Sequence, residues 1–223
     1  MILVDNLKQV RSDVEQCGRD VVLVAACKMQ TKQTVDDFMA LAPDFVLGEN
    51  RVQELLEKYD DRYEWHFIGQ LQTNKVKYII DKVALIHSVD RLELAKEIDR
   101  QAKNHGKIQR CLVEVNMAAE VGKGGVLPDA AIDFIKSLAQ FENIEIAGLM
   151  SVLPNLGDTP ELHAYCDGLQ GLFEKTKSLS QKNVRIKYLS AGMSGDYKIA
   201  LQHGANMIRL GRVLFGQRPL QLK

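Results

Sequence analysis

The chain has 223 residues, 29 of them Lys or Arg and 29 Asp or Glu, with a hydrophobic fraction of 46%. That length allows one large domain with a substantial core, or at most two small ones. The even charge gives no electrostatic hold on nucleic acid or an anionic membrane, and no apolar run approaches a bilayer span.

The amino-terminal MILVDNLKQVRSDV carries acid early and lacks a basic lead, so no signal peptide is expected. Leu3, Leu7, Val10 and Val14 recur at helical spacing over Ile2–Cys17, and Gly18 supplies a stop. A leading helix is expected there. Val21–Lys28 (VVLVAACK) is too short to span a membrane and lacks polar alternation. It suits a strand buried on both faces, as in a parallel sheet covered by helices. A short amphipathic helix, TVDDFMALA, follows.

Phe45–Asn50 (FVLGEN) reads as a second strand, with Asn50 placed to cap the helix RVQELLEKYDD and Gln53 completing a capping box. Glu64–Gly69 (EWHFIG) reads as a third, and Thr73 is a candidate cap for NKVKYIIDK. Leu85–Val89 (LIHSV) is a fourth, with Asp90 capping the long helix RLELAKEIDRQAKNHG. Arg110–Asn116 (RCLVEVN) opens into the small-residue loop MAAEVGKGG, before a helix whose Pro128 suits the first turn. Ile144–Val152 is a sixth strand, and the loop PNLGDTP leads to the longest helix, ELHAYCDGLQGLFEKTKSLSQK. Ile186–Ser194 is a seventh, backed by GDYKIALQHG, and Met207–Gly216 is an eighth.

Eight short apolar segments alternating with helices, and no Asn-Gly hairpin between them, have the size and rhythm of a (β/α)₈ barrel. An open doubly wound sheet is the competitor, but no G-x-G-x-x-G follows the first strand. We therefore expect one α/β barrel domain over 1–223, with an extra amino-terminal helix. Cys17, Cys27, Cys111 and Cys166 are scattered without a C-x-x-C pair. That favours reduced thiols in a cytoplasmic protein over a disulfide or zinc framework, with Cys27 a small buried hydrophobe.

Every residue of chemical interest falls at the carboxyl end of an expected strand, the face where barrel enzymes work. Lys28 ends the first. A lysine whose stem leaves an apolar wall deprotonates more easily than one in water, and a neutral amine attacks an aldehyde. Taken alone, this stretch fits better a strand-end lysine that sends its ammonium to solvent. Ser194 and Gly195 are read as ending the seventh strand and opening a helix, an anion cradle or an ordinary cap. Gly211 is read as lying inside the eighth strand, where a glycine costs stability unless something approaches closely. Arg209, on the same strand, needs a partner if buried, and Arg212 adds charge nearby or points outward. Barrels often hold phosphate with the loops after strands seven and eight, and closure makes those loops neighbours of Lys28. Aldehyde capture beside a phosphate cradle is what pyridoxal 5′-phosphate (PLP) requires.

The segments CK (27–28), FVLGENRVQELLEK (45–58), WHFIGQLQTNKVKYI (65–79), IHSVDRLELA (86–95), AGMSGDYKIAL (191–201) and IRLGRVLFG (208–216) closely resemble the YggS/PROSC family. These are small PLP-binding proteins whose fold is like the amino-terminal barrel of alanine racemase. The resemblance implies that Lys28 forms the Schiff base with PLP. It also implies that Ser194 and Gly195, with the backbone around Gly211 and Arg212, hold the phosphate. Arg209 would face the pyridine nitrogen, and Asn50 would lie near the ring. The chain departs from the family twice. The usual S-K-x-K is here Cys27-Lys28-Met29-Gln30, leaving Lys123 of the GKGG loop as a candidate second lysine. Arg212 stands where a small hydroxyl residue is common.

The sequence ends seven residues after Gly216, and no second domain is expected to bring an acid over the cofactor. An arginine at the pyridine nitrogen disfavours its protonation and weakens the ring as an electron sink. The expectation is therefore a protein of PLP homeostasis without established catalysis, affecting amino-acid and keto-acid balance. It would be a monomer that holds PLP reversibly, with PLP-dependent apoenzymes as transient acceptors. Two alternatives are a slow amino-acid racemase or transaminase using Lys28, and a Schiff-base aldolase that uses the cradle for a sugar phosphate.

Overall fold

Each of the eight apolar runs forms a strand in the computed structural model, which describes residues 2–216. Of the 1–223 span expected to act as one unit, Met1 and residues 217–223 lie outside the described residues. The strands are β1 (Val22–Ala26), β2 (Val46–Glu49), β3 (Trp65–Phe67), β4 (Leu85–Val89), β5 (Gln109–Glu114), β6 (Ile144–Met150), β7 (Val184–Ser190) and β8 (Met207–Leu210). They pair in parallel in chain order, and β8 closes on β1 with Val24 opposite Arg209 and Ala25 opposite Leu210. The expected closed barrel is the observed one.

Helices α1 (Val4–Gln16), α2 (Lys32–Leu41), α3 (Val52–Lys58), α4 (Leu92–Asn104), α5 (Pro128–Ser137), α6 (Pro160–Thr176), α7 (Tyr197–Gln202) and α8 (Arg212–Phe215) accompany the strands. Alternation of side chains along each strand makes two cores. Outward residues such as Leu23, Ala25, Leu47, Trp65, Phe67 and Ile208 pack under the helices. Inward residues Val24, Ile68, Leu85, Leu112, Ala147 and Met207 fill the barrel lumen. Both sets are nearly inaccessible to solvent, which accounts for the near-continuous apolar runs of the strands.

Helix α1 is a brace for the two helices that follow β7 and β8. The Leu3 N–H donates to Leu214 O at 2.8 Å, and Asn6 Nδ2 donates to Val213 O at 2.9 Å. The Tyr197 hydroxyl donates to Asp13 Oδ2 at 2.6 Å. Among the described residues no helix is long and apolar enough to cross a membrane.

Several local expectations are corrected. Asn50 caps nothing: α3 begins at Val52 behind an extended Arg51, without a side-chain cap. The Glu49 carboxylate instead accepts the N–H groups of Asn50 and Arg51, at 2.7 and 3.4 Å. The segment after Thr73 is a 3₁₀ helix, Thr73–Tyr78, with Gln72 at its start. Asp90 does not cap α4, because its carboxylate is committed to Arg91 and to the Gly125 N–H. Strand β7 stops at Ser190, so Ser194 and Gly195 lie in the connection to α7. Gly192 forces that exit: its φ is +92°, and a Cβ there would lie 2.8 Å from Ala200 Cβ and from Tyr197 Cα. Gly211 lies just beyond β8, at the start of α8, where its carbonyl accepts from Leu214 and Phe215 at 2.9 Å each.

Candidate functional site

Lys28 follows β1 in a tight turn, closed by the Gln30 N–H donating to Cys27 O at 2.9 Å. The turn needs a left-handed residue, and Met29 supplies it at φ +64°. That conformation costs a side-chain-bearing residue about 1 kcal/mol or more. Contacts from below hold it. The Met29 N–H donates to Glu54 Oε2 at 2.7 Å, and Lys58 Nζ donates to Cys27 O at 2.8 Å. Lys58, only 4% exposed, also pairs with Glu49 at 2.5 Å and Glu54 at 3.4 Å. Burial pushes Glu54 up, but the Met29 N–H and Lys58 outweigh it and leave the carboxyl below its ordinary value. Cys27 beside the lysine is fully buried, and burial pushes its thiol up to about 12. It is a packing residue.

The β7–α7 and β8–α8 connections are stitched together by one hydroxyl. Ser194 Oγ accepts the N–H groups of Gly211 and Val213, each at 3.2 Å. Among the described residues, the N–H groups of Ser194, Gly195 and Arg212 meet no acceptor. Backbone donors gathered this way suit an anion.

Arg209 is 4% exposed on the inner face of β8. Its Nη1 donates to Ser190 O at 2.9 Å and to Ser190 Oγ at 2.7 Å, and its Nη2 to Ser151 O at 2.9 Å. All three acceptors are neutral. Burial pulls the guanidinium down to about 10, against the opposing pull of Asp196 and Glu114. The partner that a buried arginine requires is thus a set of oxygens at the ends of β6 and β7, with no carboxylate in direct contact among the described residues.

Across the mouth, at the ends of β4 and β5, stand Asp90 and Glu114. Burial, reinforced by Asp90, raises the Glu114 carboxyl to about 7, and its Oε2 has no partner among the described residues. Lys123 in the neighbouring loop pairs with Glu120 at 2.5 Å.

The ends of β1, β2, β7 and β8 border a cleft of about 620 Å³ lined by Lys28, Asn50, Ser194, Arg209, Gly211 and Arg212, among others. Six of the seven sequence-predicted residues are brought together. Gly195 is exposed beside the cleft rather than in its lining, and so is Lys123 outside it. Arg212 is exposed at the rim. Asn50 is held by Gly69, where a Cβ would lie 2.2 Å from Asn50 O. A broader hollow of about 800 Å³ lies between α1 and the start of β1. Its Arg11 is committed to Asp44 and its Arg19 to the carbonyls of Leu201 and Ala205.

The sequence reading passed over Glu49, Glu54, Lys58, Met29, Ser151 and Ser190. Glu54 and Lys58 have the spacing of an ordinary surface helix pair, and only the burial of α3 against the Lys28 turn gives them a role. A half-buried lysine whose amine has no hydrogen bond among the described residues, free backbone donors there at the β7 and β8 ends and a buried cation between them fit an anionic aldehyde such as PLP.

The family model described as alanine racemase, N-terminal domain, matches residues 3–219. A protein of Aquifex aeolicus (strain VF5) named "pyridoxal phosphate homeostasis protein" is 38% identical over 219 residues, 95% of each chain. PipY of Synechococcus elongatus PCC7942, solved with PLP bound, is 28% identical with a TM-score of 0.80, covering 95% of this chain and 99% of that one. Alanine racemase of Clostridium difficile 630 shares the fold, with 18% identity and a TM-score of 0.75 over 99% of this chain and 62% of that one.

Proposed function

The chain belongs to the family of the alanine racemase N-terminal domain, and from that premise we propose that it binds PLP reversibly and serves in homeostasis of that cofactor. The observation that carries the reading is the convergence of Lys28, Ser194, Arg209 and Gly211 on one cleft where β8 closes on β1. The names and the bound PLP of the relatives support it.

Bound there, PLP supplies an aldehyde carbon and an electron-withdrawing ring. Lys28 is the residue that would hold the aldehyde end, presented by the turn over Glu54 and Lys58. The free N–H groups around Ser194 and Arg212, with Gly195 and Gly211, would hold the phosphate. Asn50 would border the ring. Arg209 donates hydrogen bonds and accepts none, so a ring nitrogen facing it is kept as an acceptor. That arrangement suits storage and delivery better than carbanion chemistry. We place the protein in the cytoplasm, as one domain that hands PLP to apoenzymes without catalytic turnover.

The test is spectroscopic. Purified protein titrated with PLP should develop a bound-cofactor absorption band that an apoenzyme acceptor depletes as it gains activity. Exchange of the α-proton of alanine in heavy water should stay at the level of free PLP. Exchange at enzyme-like rates would move the protein to the racemases, and the lack of any band would sink the reading.

A further inference from the structure

The barrel lumen contains an unbroken polar chain. Arg209 Nη1 donates to Ser190 Oγ at 2.7 Å, and Ser190 Oγ lies 3.3 Å from His87 Nδ1. His87 Nε2 lies 3.1 Å from His66 Nδ1, and His66 Nε2 lies 3.1 Å from Glu64 Oε1. Ser190 and His87 have no exposure and His66 has 3%, whereas the Glu64 side chain is 49% exposed. Glu64 immediately precedes β3, at the amino-terminal end of the barrel, and Arg209 stands near the carboxyl end of β8. The chain therefore runs from solvent at one face of the barrel to the cleft at the other.

With both rings neutral, its direction is set at the Glu64 end, because Ser190 Oγ has two lone pairs and can accept from Arg209 and from a ring N–H alike. A carboxylate only accepts, so the His66 proton sits on Nε2 and is donated to Glu64. The His87 proton likewise sits on Nε2 and is donated to His66 Nδ1. Ser190 Oγ accepts from Arg209, which only donates, and its own O–H is given to His87 Nδ1. One arrangement, with both rings neutral, satisfies all four contacts. Burial lowers the tendency of both histidines to protonate, with Arg209 adding to this at His87 and Arg110 at His66, while Glu64 opposes it at His66. Aligned donors polarise one another in a medium of low dielectric.

We propose that Glu64, His66, His87 and Ser190 act as one directional hydrogen-bond chain that fixes Arg209 at the floor of the cleft. They are positioning residues: none of them lines the cleft, and each acts through Arg209. Two Arg209 N–H groups, Nε–H and one on Nη2, have no acceptor among the described residues. The chain sets which donors remain for a ligand. The role in ligand binding rests on the PLP reading above, but the chain itself exists without ligand.

The experiment uses the ¹⁵N-labelled protein free of PLP, with long-range ¹H–¹⁵N correlation at neutral pH. His66 and His87 should both be neutral with the proton on Nε2. In Glu64→Gln, an amide that accepts and donates no longer dictates direction, so His87, which does not touch residue 64, should show a population protonated on Nδ1. Titrated with PLP, that variant should bind about three- to tenfold more weakly, as expected for about one hydrogen bond's worth of lost positioning, with a displaced absorption band, and Glu64→Asp should restore much of both. Wild-type rings protonated on Nδ1, or a His87 tautomer indifferent to Glu64→Gln, would overturn the chain. Shifted tautomers with unchanged PLP affinity and band would overturn its positioning role. The wild-type tautomers require no variant to fold, and a wild type that takes up no PLP would refute the cofactor reading while leaving the tautomer result decisive for the chain.

Discussion

The Ser194 hydroxyl accepts two backbone N–H groups, from Gly211 and Val213, that no other side chain reaches among the described residues. Ser194→Ala leaves both without it and lets the two connections drift apart. PLP retention measured by equilibrium dialysis should weaken by about 1–3 kcal/mol; unchanged retention would remove Ser194 from the cradle. Glu114 makes a different demand. Its carboxyl is raised to about 7 in the fold, from an ordinary value near 4.5, by burial and Asp90. Between those values the folded chain keeps a proton that the unfolded chain releases, so stability falls as pH rises through that window and stays lower above it. Glu114→Gln removes the titration. Melting temperatures at pH 5 and pH 8 should show the variant gaining on the wild type at the higher pH, by on the order of 1–3 kcal/mol. Parallel pH profiles would show that Glu114 ionises in the fold without penalty. Lys28, Ser194, Arg209 and Gly211 were readable because each interrupts or ends an apolar run. His66, His87 and Ser190 also stand within apolar runs, but WHF and LIHSV look like plain strands until the lumen-facing positions are known. The requirement that a buried polar group find a partner was the available clue.

Strand existence and order were legible at the scale of elements because burial on both faces leaves unmistakable apolar runs. The ends were not. Asn50, Thr73 and Asp90 have the chemistry of helix caps, yet other contacts take their place: the adjacent Glu49 carboxylate accepts the Asn50 N–H, the Arg91 guanidinium reaches Thr73 Oγ1 at 3.5 Å, and the Asp90 carboxylate is taken by Arg91 and by the distant Gly125 N–H. The β7 exit depends on a close approach between Gly192 and α7, which no local pattern records. Helix α1 was predicted as a helix but not as a brace. Its Asp13 accepts from Tyr197 at 2.6 Å and pairs with Lys198 at 3.1 Å, so it holds α7 from the side away from the cleft. Tyr197→Phe keeps the packing and removes the hydroxyl. It should cost about 1 kcal/mol, or roughly 2–4 °C in melting temperature for a chain of this size. A larger loss of PLP retention than of stability would show that the brace also tensions the β7–α7 connection, and no change in either would mean that α1 is held by apolar contacts alone.

The whole molecule divides along the barrel axis. Apolar lumen residues such as Leu85, Leu112 and Met207 stabilise the closed sheet, while the carboxyl-end connections gather the charges and free donors. Closure of β8 on β1 is what makes distant stretches of sequence neighbours, since Lys28 and Arg209 are far apart in the chain and share one cleft. That neighbourhood followed from counting eight strand–helix alternations, and it is the reason two weak local patterns became one candidate site. The most direct measurement is mass spectrometry after borohydride treatment of the PLP-loaded protein, followed by proteolysis. The account predicts a single PLP-derived mass on the peptide carrying Lys28 and its disappearance in Lys28→Ala. A mass on Lys123 or another lysine, with Lys28 unmodified, would contradict it.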